Sequence, residues 1–214
     1  SCHHMQNLAI DYYLNDTIGR DVFAGLSPSE QAAANALKDR LFQVREDLYI
    51  DEEKATPLEL ANVEVLTAMS NTSPFSWFRE FLRLYNYHIH VTHKDCNINA
   101  VGRIASVDEY IDSRCHMAGM HHVVSLVEYS DGSFLDWDWL SSIGVDSQLR
   151  RLHYTTAAIG GLMNDLFSFE KEVIANGADS NLVTVILCNK PELTLAGAIE
   201  RAATLVRSLL IEFK

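Results

Sequence analysis

Residues 147–175, SQLRRLHYTTAAIGGLMNDLFSFEKEVIA, read as one long helix that Asn176-Gly177 brings to a stop. Within it Asn164, Ser168 and Glu172 recur every four residues. At ~3.6 residues per turn each step advances about 40°, so the three side chains form one stripe spaced ~6 Å apart along the axis. An amide oxygen, a hydroxyl and a carboxylate are hard ligands. They suit Mg²⁺, an ion that keeps some water and usually also binds a phosphate. An ordinary polar face has the same spacing, so the rest of the chain must decide between the two.

On the same face, four and seven residues before Asn164, lie Gly160 and Ala157, with Gly161 alongside. A glycine inside a helix costs roughly 1 kcal/mol relative to alanine, so a pair asks for a reason. Close helix packing is one reason, and room for a ligand above the metal is the other. Lys171, beside Glu172, adds a cation within reach of an anionic ligand held there.

Working outward, helix starts recur with a capping residue followed three positions later by glutamate. Ser27-Pro28-Ser29-Glu30, Thr56-Pro57-Leu58-Glu59 and Ser106-Val107-Asp108-Glu109 read as capping boxes, and Ser73-Pro74 as a fourth start. These predict helices over 28–49, 57–70, 74–96 and 107–129, after a first helix over 3–18. Turn formers fill 130–146. Two further helices are expected over 181–188, where LVTVIL imitates a strand, and over 193–213, with Lys190-Pro191 between them. No strand alternation is convincing elsewhere. The expected architecture is therefore all-α, a helical bundle forming one domain over residues 1–214.

Composition narrows the function. A chain of 214 residues with 48% hydrophobic and 21% charged residues is globular and long enough for a sizeable core. Its formal charge of −12, from 29 acidic against 17 basic residues, argues against a nucleic-acid or anionic-membrane surface and is compatible with a cation-binding cleft. No stretch has the apolar length of a membrane span, and SCHHMQNLAIDYY lacks the pattern of a secretory signal. Cys2, Cys96, Cys115 and Cys188 form no CxxC pair and no framework, which points to a reduced cytoplasm.

A second acidic cluster is Asp11-Tyr12-Tyr13-Leu14-Asn15-Asp16. Asp11 and Asn15 are one step of four apart and Asp16 lies about 140° from Asp11, so at a helix end all three can address one site. Solvent-facing acids at a helix terminus have the same pattern.

These residues together resemble class I terpene synthases. NDLFSFEKE is similar to that family's second metal-binding motif, with every defined position filled, and Asn181-Leu182-Val183 resembles the segment that follows it in bacterial and fungal members. Val107-Asp108-Glu109-Tyr110-Ile111-Asp112-Ser113-Arg114, followed by Gly119, is similar to the helix that carries the family's pyrophosphate-sensing arginine and the nearby helix break. The resemblance implies that Asn164, Ser168 and Glu172 bind one Mg²⁺, while Asp11, with Asn15 and Asp16, holds two more as the aspartate-rich motif. Arg114 would bind the diphosphate with help from Lys171. The turn Met117-Ala118-Gly119 would set a backbone carbonyl near the carbocation left when diphosphate departs. Gly160 would give the substrate room, and Phe75, Trp77, Phe78 and Phe81 are candidates for an aromatic cavity lining. Plain core packing is the competing reading of each.

The implied reaction is Mg²⁺-dependent ionisation and cyclisation of farnesyl or geranylgeranyl diphosphate to a cyclic hydrocarbon or alcohol, by a cytoplasmic enzyme that also forms a homodimer. The match departs from the family in two respects. Tyr12 stands where a second aspartate is usual, and the family's domain has helices before the first motif and an Arg-Tyr pair beyond the second, so the chain is expected to be incomplete at both ends. A non-catalytic scaffold that binds a prenyl diphosphate or a protein partner is the alternative. A chain-elongating prenyltransferase would carry a second aspartate-rich motif in place of Asn164, Ser168 and Glu172. His88, His90, His93 and Cys96 suggest zinc but lack a matching ligand pair, and they read, with His116, His121 and His122, as packed or surface histidines.

Overall fold

The computed structural model describes residues 2–23, 25–44, 47–92 and 102–214. In order, the helices are α1 (Cys2–Ile18), α2 (Arg20–Phe23), α3 (Pro28–Gln43), α4 (Pro57–Asn71), α5 (Phe75–Val91), α6 (Val107–Met117), α7 (Met120–Asp131), α8 (Trp137–Ser142), α9 (Asp146–Phe169), a π-helical turn (Glu170–Ala175), α10 (Leu182–Asn189) and α11 (Leu195–Phe213). No strand occurs among the described residues, and the all-α expectation holds.

All three capping boxes form. The backbone N–H groups of Ser27, Thr56 and Ser106 donate to Glu30, Glu59 and Glu109 at 2.8, 2.7 and 2.8 Å, while each cap hydroxyl accepts from the glutamate's own N–H. Helix starts are legible because they are closed by side chains three residues away.

Helix ends differ more from expectation. The helix predicted over 28–49 stops at Gln43 because Val44 turns out of helical geometry and its carbonyl accepts from Asn86 Nδ2 of α5 at 2.6 Å. The helix expected over 107–129 is two helices, parted at Gly119, whose φ of +68° is left-handed and suits glycine. The helix expected over 147–175 changes at Glu170 to a π-turn, marked by the Asn176 N–H donating to the Lys171 carbonyl five residues back at 3.1 Å. Two short helices, α2 and α8, were not predicted.

The chain divides into two compact units. One comprises residues 1–90 and 125–136, and the other comprises residues 91–124 and 137–214. The first unit packs α1, α3, α4 and α5 around Leu41, Leu66, Met69, Phe78, Phe81 and Tyr85, all at most 1% exposed. Burial of such side chains stabilises by about 1.5–3 kcal/mol each. Trp77 stacks on Phe81 and on Tyr129, each with ring centroids 5.3 Å apart. The second unit packs α6, α9, α10 and α11 around Tyr110, Leu162, Leu182, Ile186 and Ala202.

Candidate active site

The second unit builds its site around one carboxylate. On α9, Ala158, Leu162 and Asp165 follow the i, i+4, i+7 spacing of a buried face, and all three are completely buried. A buried carboxylate must be paired and hydrogen-bonded. Arg114 Nε of α6 donates to Asp165 Oδ1 at 2.7 Å. The Tyr110 hydroxyl and the Leu182 backbone N–H donate to Asp165 Oδ2 at 2.6 and 2.8 Å. Asn181 Nδ2 donates to the Asp165 carbonyl at 2.9 Å, tying the start of α10 to the same point.

This lock orients Arg114, itself only 5% exposed, and its Nη2 reaches Asn164 Oδ1 at 2.7 Å. A guanidinium has five N–H donors in a planar fork, and these two bonds leave others for an anion. Arg114 thus bridges the arginine helix and the first residue of the oxygen stripe. Of the remaining stripe, Ser168 Oγ donates to the Asn164 carbonyl at 2.7 Å and keeps its lone pairs as acceptors, and Glu172 is 8% exposed. Because Glu172 lies on the π-turn, with an i→i+5 bond that rotates the chain less per residue, it does not continue the 40° drift of a plain α-helix. An amide oxygen, a hydroxyl oxygen and a carboxylate on one helix are donors that fit a hard divalent cation. Lys171 is exposed beside them.

The glycine pair serves packing. A Cβ on Gly161 would meet Arg114 Cγ, the Arg114 carbonyl and Ala118 Cβ, each at 3.5 Å, so α9 closes directly on the stem of the arginine. A Cβ on Gly160 would lie 2.3 Å from Met120 Cε. The room expected there for a substrate is filled by Met120 in this structure. Between these contacts α6 ends at Met117, and the Ala118 N–H donates to the Arg114 carbonyl at 2.9 Å.

In the first unit, Asp11 Oδ1 pairs with His88 Nε2 at 2.8 Å. Asn15 and Asp16 are exposed in the last turn of α1. The helix ends on Gly19, where a Cβ would lie 2.0 Å from the Asn15 carbonyl oxygen, so only glycine fits the turn. Phe78, Trp77 and Phe81 belong to the core, whereas Phe75 is 63% exposed under the Arg79 guanidinium.

The zinc candidates disperse. His88 is on Asp11, His90 packs on Phe42, and His93 and Cys96 lie outside the described residues. His121 lies between His116 and His153, at centroid distances of 4.2 and 5.3 Å, and His122 is buried. No group of three or more His, Cys, Asp or Glu among the described residues is arranged to hold a metal.

Asp165 was not singled out from the sequence. Its signal was an acid on the apolar face of α9, matched by an arginine on the buried face of α6.

The chain is 25% identical over 203 residues to (2Z,6E)-hedycaryol synthase of Kitasatospora setae, covering 95% of this chain and 56% of that protein. Its fold matches α-eudesmol synthase with a TM-score of 0.75 at 20% identity, over 96% of this chain and 63% of that one. It also matches linalool/nerolidol synthase from Streptomyces clavuligerus in complex with 2-fluorogeranyl diphosphate, with a TM-score of 0.76 at 19% identity, over 97% and 65%. The chain therefore spans between about half and two thirds of the length of these relatives. No described helix is long and apolar enough to cross a membrane. Residues 15–211 match the family described as "Terpene synthase family 2, C-terminal metal binding", and the chain belongs to that family.

Proposed function

We propose that this protein ionises and cyclises a linear prenyl diphosphate, farnesyl or geranylgeranyl diphosphate, to a cyclic terpene hydrocarbon or alcohol with release of diphosphate. The observation that carries the reading is Arg114. It is buried, fixed by Asp165, whose other oxygen accepts from Tyr110, bonded to the first residue of the oxygen stripe, and left with donors to spare. Such an arginine is preorganised for an anion that a metal also holds.

In this reading Asn164, Ser168 and Glu172 hold one Mg²⁺, and Asp11, Asn15 and Asp16 are the candidate ligands of two more. Mg²⁺, when bound, supplies Lewis-acid neutralisation of the diphosphate charge, which makes it a competent leaving group. Arg114 orients the diphosphate through its free N–H donors, and Lys171 adds charge at the rim. The Ala118 carbonyl beside the Gly119 break supplies a dipole for the allylic cation. Phe78 and Phe81 are packed into the core of the first unit with no open ring face, so Phe75, 63% exposed on α5, is the ring of this set open to an apolar substrate. Hedycaryol, eudesmol, linalool and nerolidol are alcohols, which keeps an alcohol among the expected products. The reading extends to a cytoplasmic setting and a homodimer.

The test is incubation of the protein with Mg²⁺ and prenyl diphosphates of several lengths, followed by analysis of volatiles and released diphosphate. Cyclic terpene products are expected from at least one substrate. Their loss in Asn164→Ala/Glu172→Ala, with helicity retained, is expected as well. Diphosphate release without any hydrocarbon or alcohol overturns the cyclase reading. Near-native turnover in the double variant overturns the metal assignment.

A further inference from the structure

Of the three candidate ligands on α1, Asp11 lies least open to solvent: its side chain is 19% exposed, whereas Asn15 and Asp16 are exposed. Its Oδ1 meets Nε2 of His88 on α5 at 2.8 Å, and the His88 side chain is only 9% exposed. An ionised carboxylate only accepts hydrogen bonds, so Nε2 carries the proton and donates. Both residues belong to the first unit, and the contact is internal to one packed body.

His88 is itself set on a fixed support. It follows Tyr85 by three residues on α5, and Tyr85 is completely buried and donates to Asn62 Oδ1 of α4 at 2.9 Å. Burial, and after it the Asp11 charge, pushes the Tyr85 phenol upward, so the carboxylate's charge is felt along this face of α5. The partners behind a metal's ligands orient them, and losing one typically costs about 10–100-fold in metal affinity. In this chain Tyr12, 68% exposed, stands beside Asp11 where a second carboxylate would share the ion. A lone carboxylate on that turn gains more from a fixed rotamer. The bond from His88 does not exhaust it, since an ionised carboxylate offers about four lone-pair sites. Asn15, one step of four along the same face, adds an amide oxygen on the solvent side, and oxygen donors of this kind fit Mg²⁺ or Mn²⁺.

We propose that His88 is a positioning residue of the first metal motif: it holds Asp11 in the rotamer that receives a divalent cation, without binding the ion itself. Its Nε2 is turned to the Asp11 carboxylate with a proton on it, so that nitrogen has no lone pair for a metal. The inference rests on Asp11 being a metal ligand under the cyclase reading. It adds the residue that makes one aspartate sufficient where Tyr12 replaces the other.

The experiment titrates Mn²⁺ alone, followed by electron paramagnetic resonance, into the protein carrying Asn164→Ala/Glu172→Ala, so that the ion counted is the one held by the Asp11 set. Turnover of farnesyl and geranylgeranyl diphosphate by wild type is read alongside. Saturable Mn²⁺ binding that Asp11→Asn abolishes is expected. Adding His88→Leu should weaken it about 10–100-fold, and His88→Gln, which keeps an N–H donor, should recover most of that loss. A residue needed only for the fold would move the urea midpoint, with no affinity that a donor restores. Bound Mn²⁺ should also broaden the His88 ring-proton signals in NMR spectra, with no directly bonded nitrogen in the electron spin-echo spectrum. An affinity unchanged or raised in His88→Leu, a directly bonded His88 nitrogen, or no saturable binding overturns the inference, and with wild-type turnover intact the cyclase reading stands. Absence of wild-type turnover overturns the cyclase reading, while a weakened affinity in His88→Leu still supports the positioning role. Should His88→Leu fail to fold by circular dichroism, the spectra with His88 in place decide: broadened ring signals without nitrogen bonding, together with an affinity retained in His88→Gln, support the role, and unbroadened signals overturn it.

Discussion

Replacing Asp165 is the sharpest probe of the arginine lock. Its carboxylate is wholly buried and receives Arg114 Nε at 2.7 Å, the Tyr110 hydroxyl at 2.6 Å and the Leu182 N–H at 2.8 Å. Asp165→Ala removes both carboxylate oxygens, and with them three hydrogen bonds, and leaves a buried guanidinium without its counter-charge, a change that costs about 3–5 kcal/mol. The orphaned Leu182 N–H, which opens α10, pushes the value to the upper end of that range. Domains are stable by about 5–15 kcal/mol, so the variant keeps its fold with little in reserve. Asp165→Asn keeps the shape and one acceptor oxygen, so Arg114 retains its bond, but the amide's N–H₂ then faces the Leu182 donor. A loss of about 1–3 kcal/mol is expected.

Urea unfolding followed by far-ultraviolet circular dichroism measures both. The expected order is wild type, then Asn, then Ala, with unchanged slopes. Arg114→Met/Asp165→Leu should recover much of the single Ala loss, because the desolvation cost of both charges disappears with them. A loss below about 1 kcal/mol in Asp165→Ala would falsify the lock, since a surface pair is worth no more than that.

Two further predictions follow from other contacts. Burial alone would raise the Glu59 carboxyl, but hydrogen bonds from Arg40 and Thr56 outweigh it and hold the group below its ordinary 4.5. A lowered folded value contributes stability that is complete above the ordinary value and is lost as pH falls through the folded one; urea midpoints between about pH 6 and about pH 3 should therefore drop less steeply in Glu59→Gln than in wild type, and identical acid limbs would contradict the assignment. Gly161→Ala meets only ordinary contacts at 3.5 Å, so the helical gain of about 1 kcal/mol should raise Tm by about 2–4 °C. Gly160→Ala forces Met120 aside from 2.3 Å and should gain less or lose stability; calorimetry showing Gly160→Ala as the more stable of the two would contradict the packing seen at Met120.

Locally encoded features are legible in residue order alone. A capping box closes over three residues and a helical stripe over four, so Ser27, Thr56, Ser106 and the line Asn164, Ser168, Glu172 are visible along the chain. Fold class and family follow from such short-range patterns and from motifs in their proper sequence.

Elsewhere the deciding partners lie far along the chain. Asp165 is bound by Arg114 and Tyr110, 51 and 55 residues earlier, and α3 ends at a carbonyl claimed by Asn86, 42 residues later. Gly160 is indistinguishable in sequence from a glycine that makes room for substrate, until Met120 is found against it. Residue order marks Asp11 as a candidate ligand but gives no sign that His88, 77 residues later, pairs with it, or that Asn7 is buried. Local sequence determined where helices begin and which donors share a face, because those energies are settled within a turn. Tertiary structure decided which of those donors are buried, and that sets what each can bind, because desolvation depends on every element packed around it.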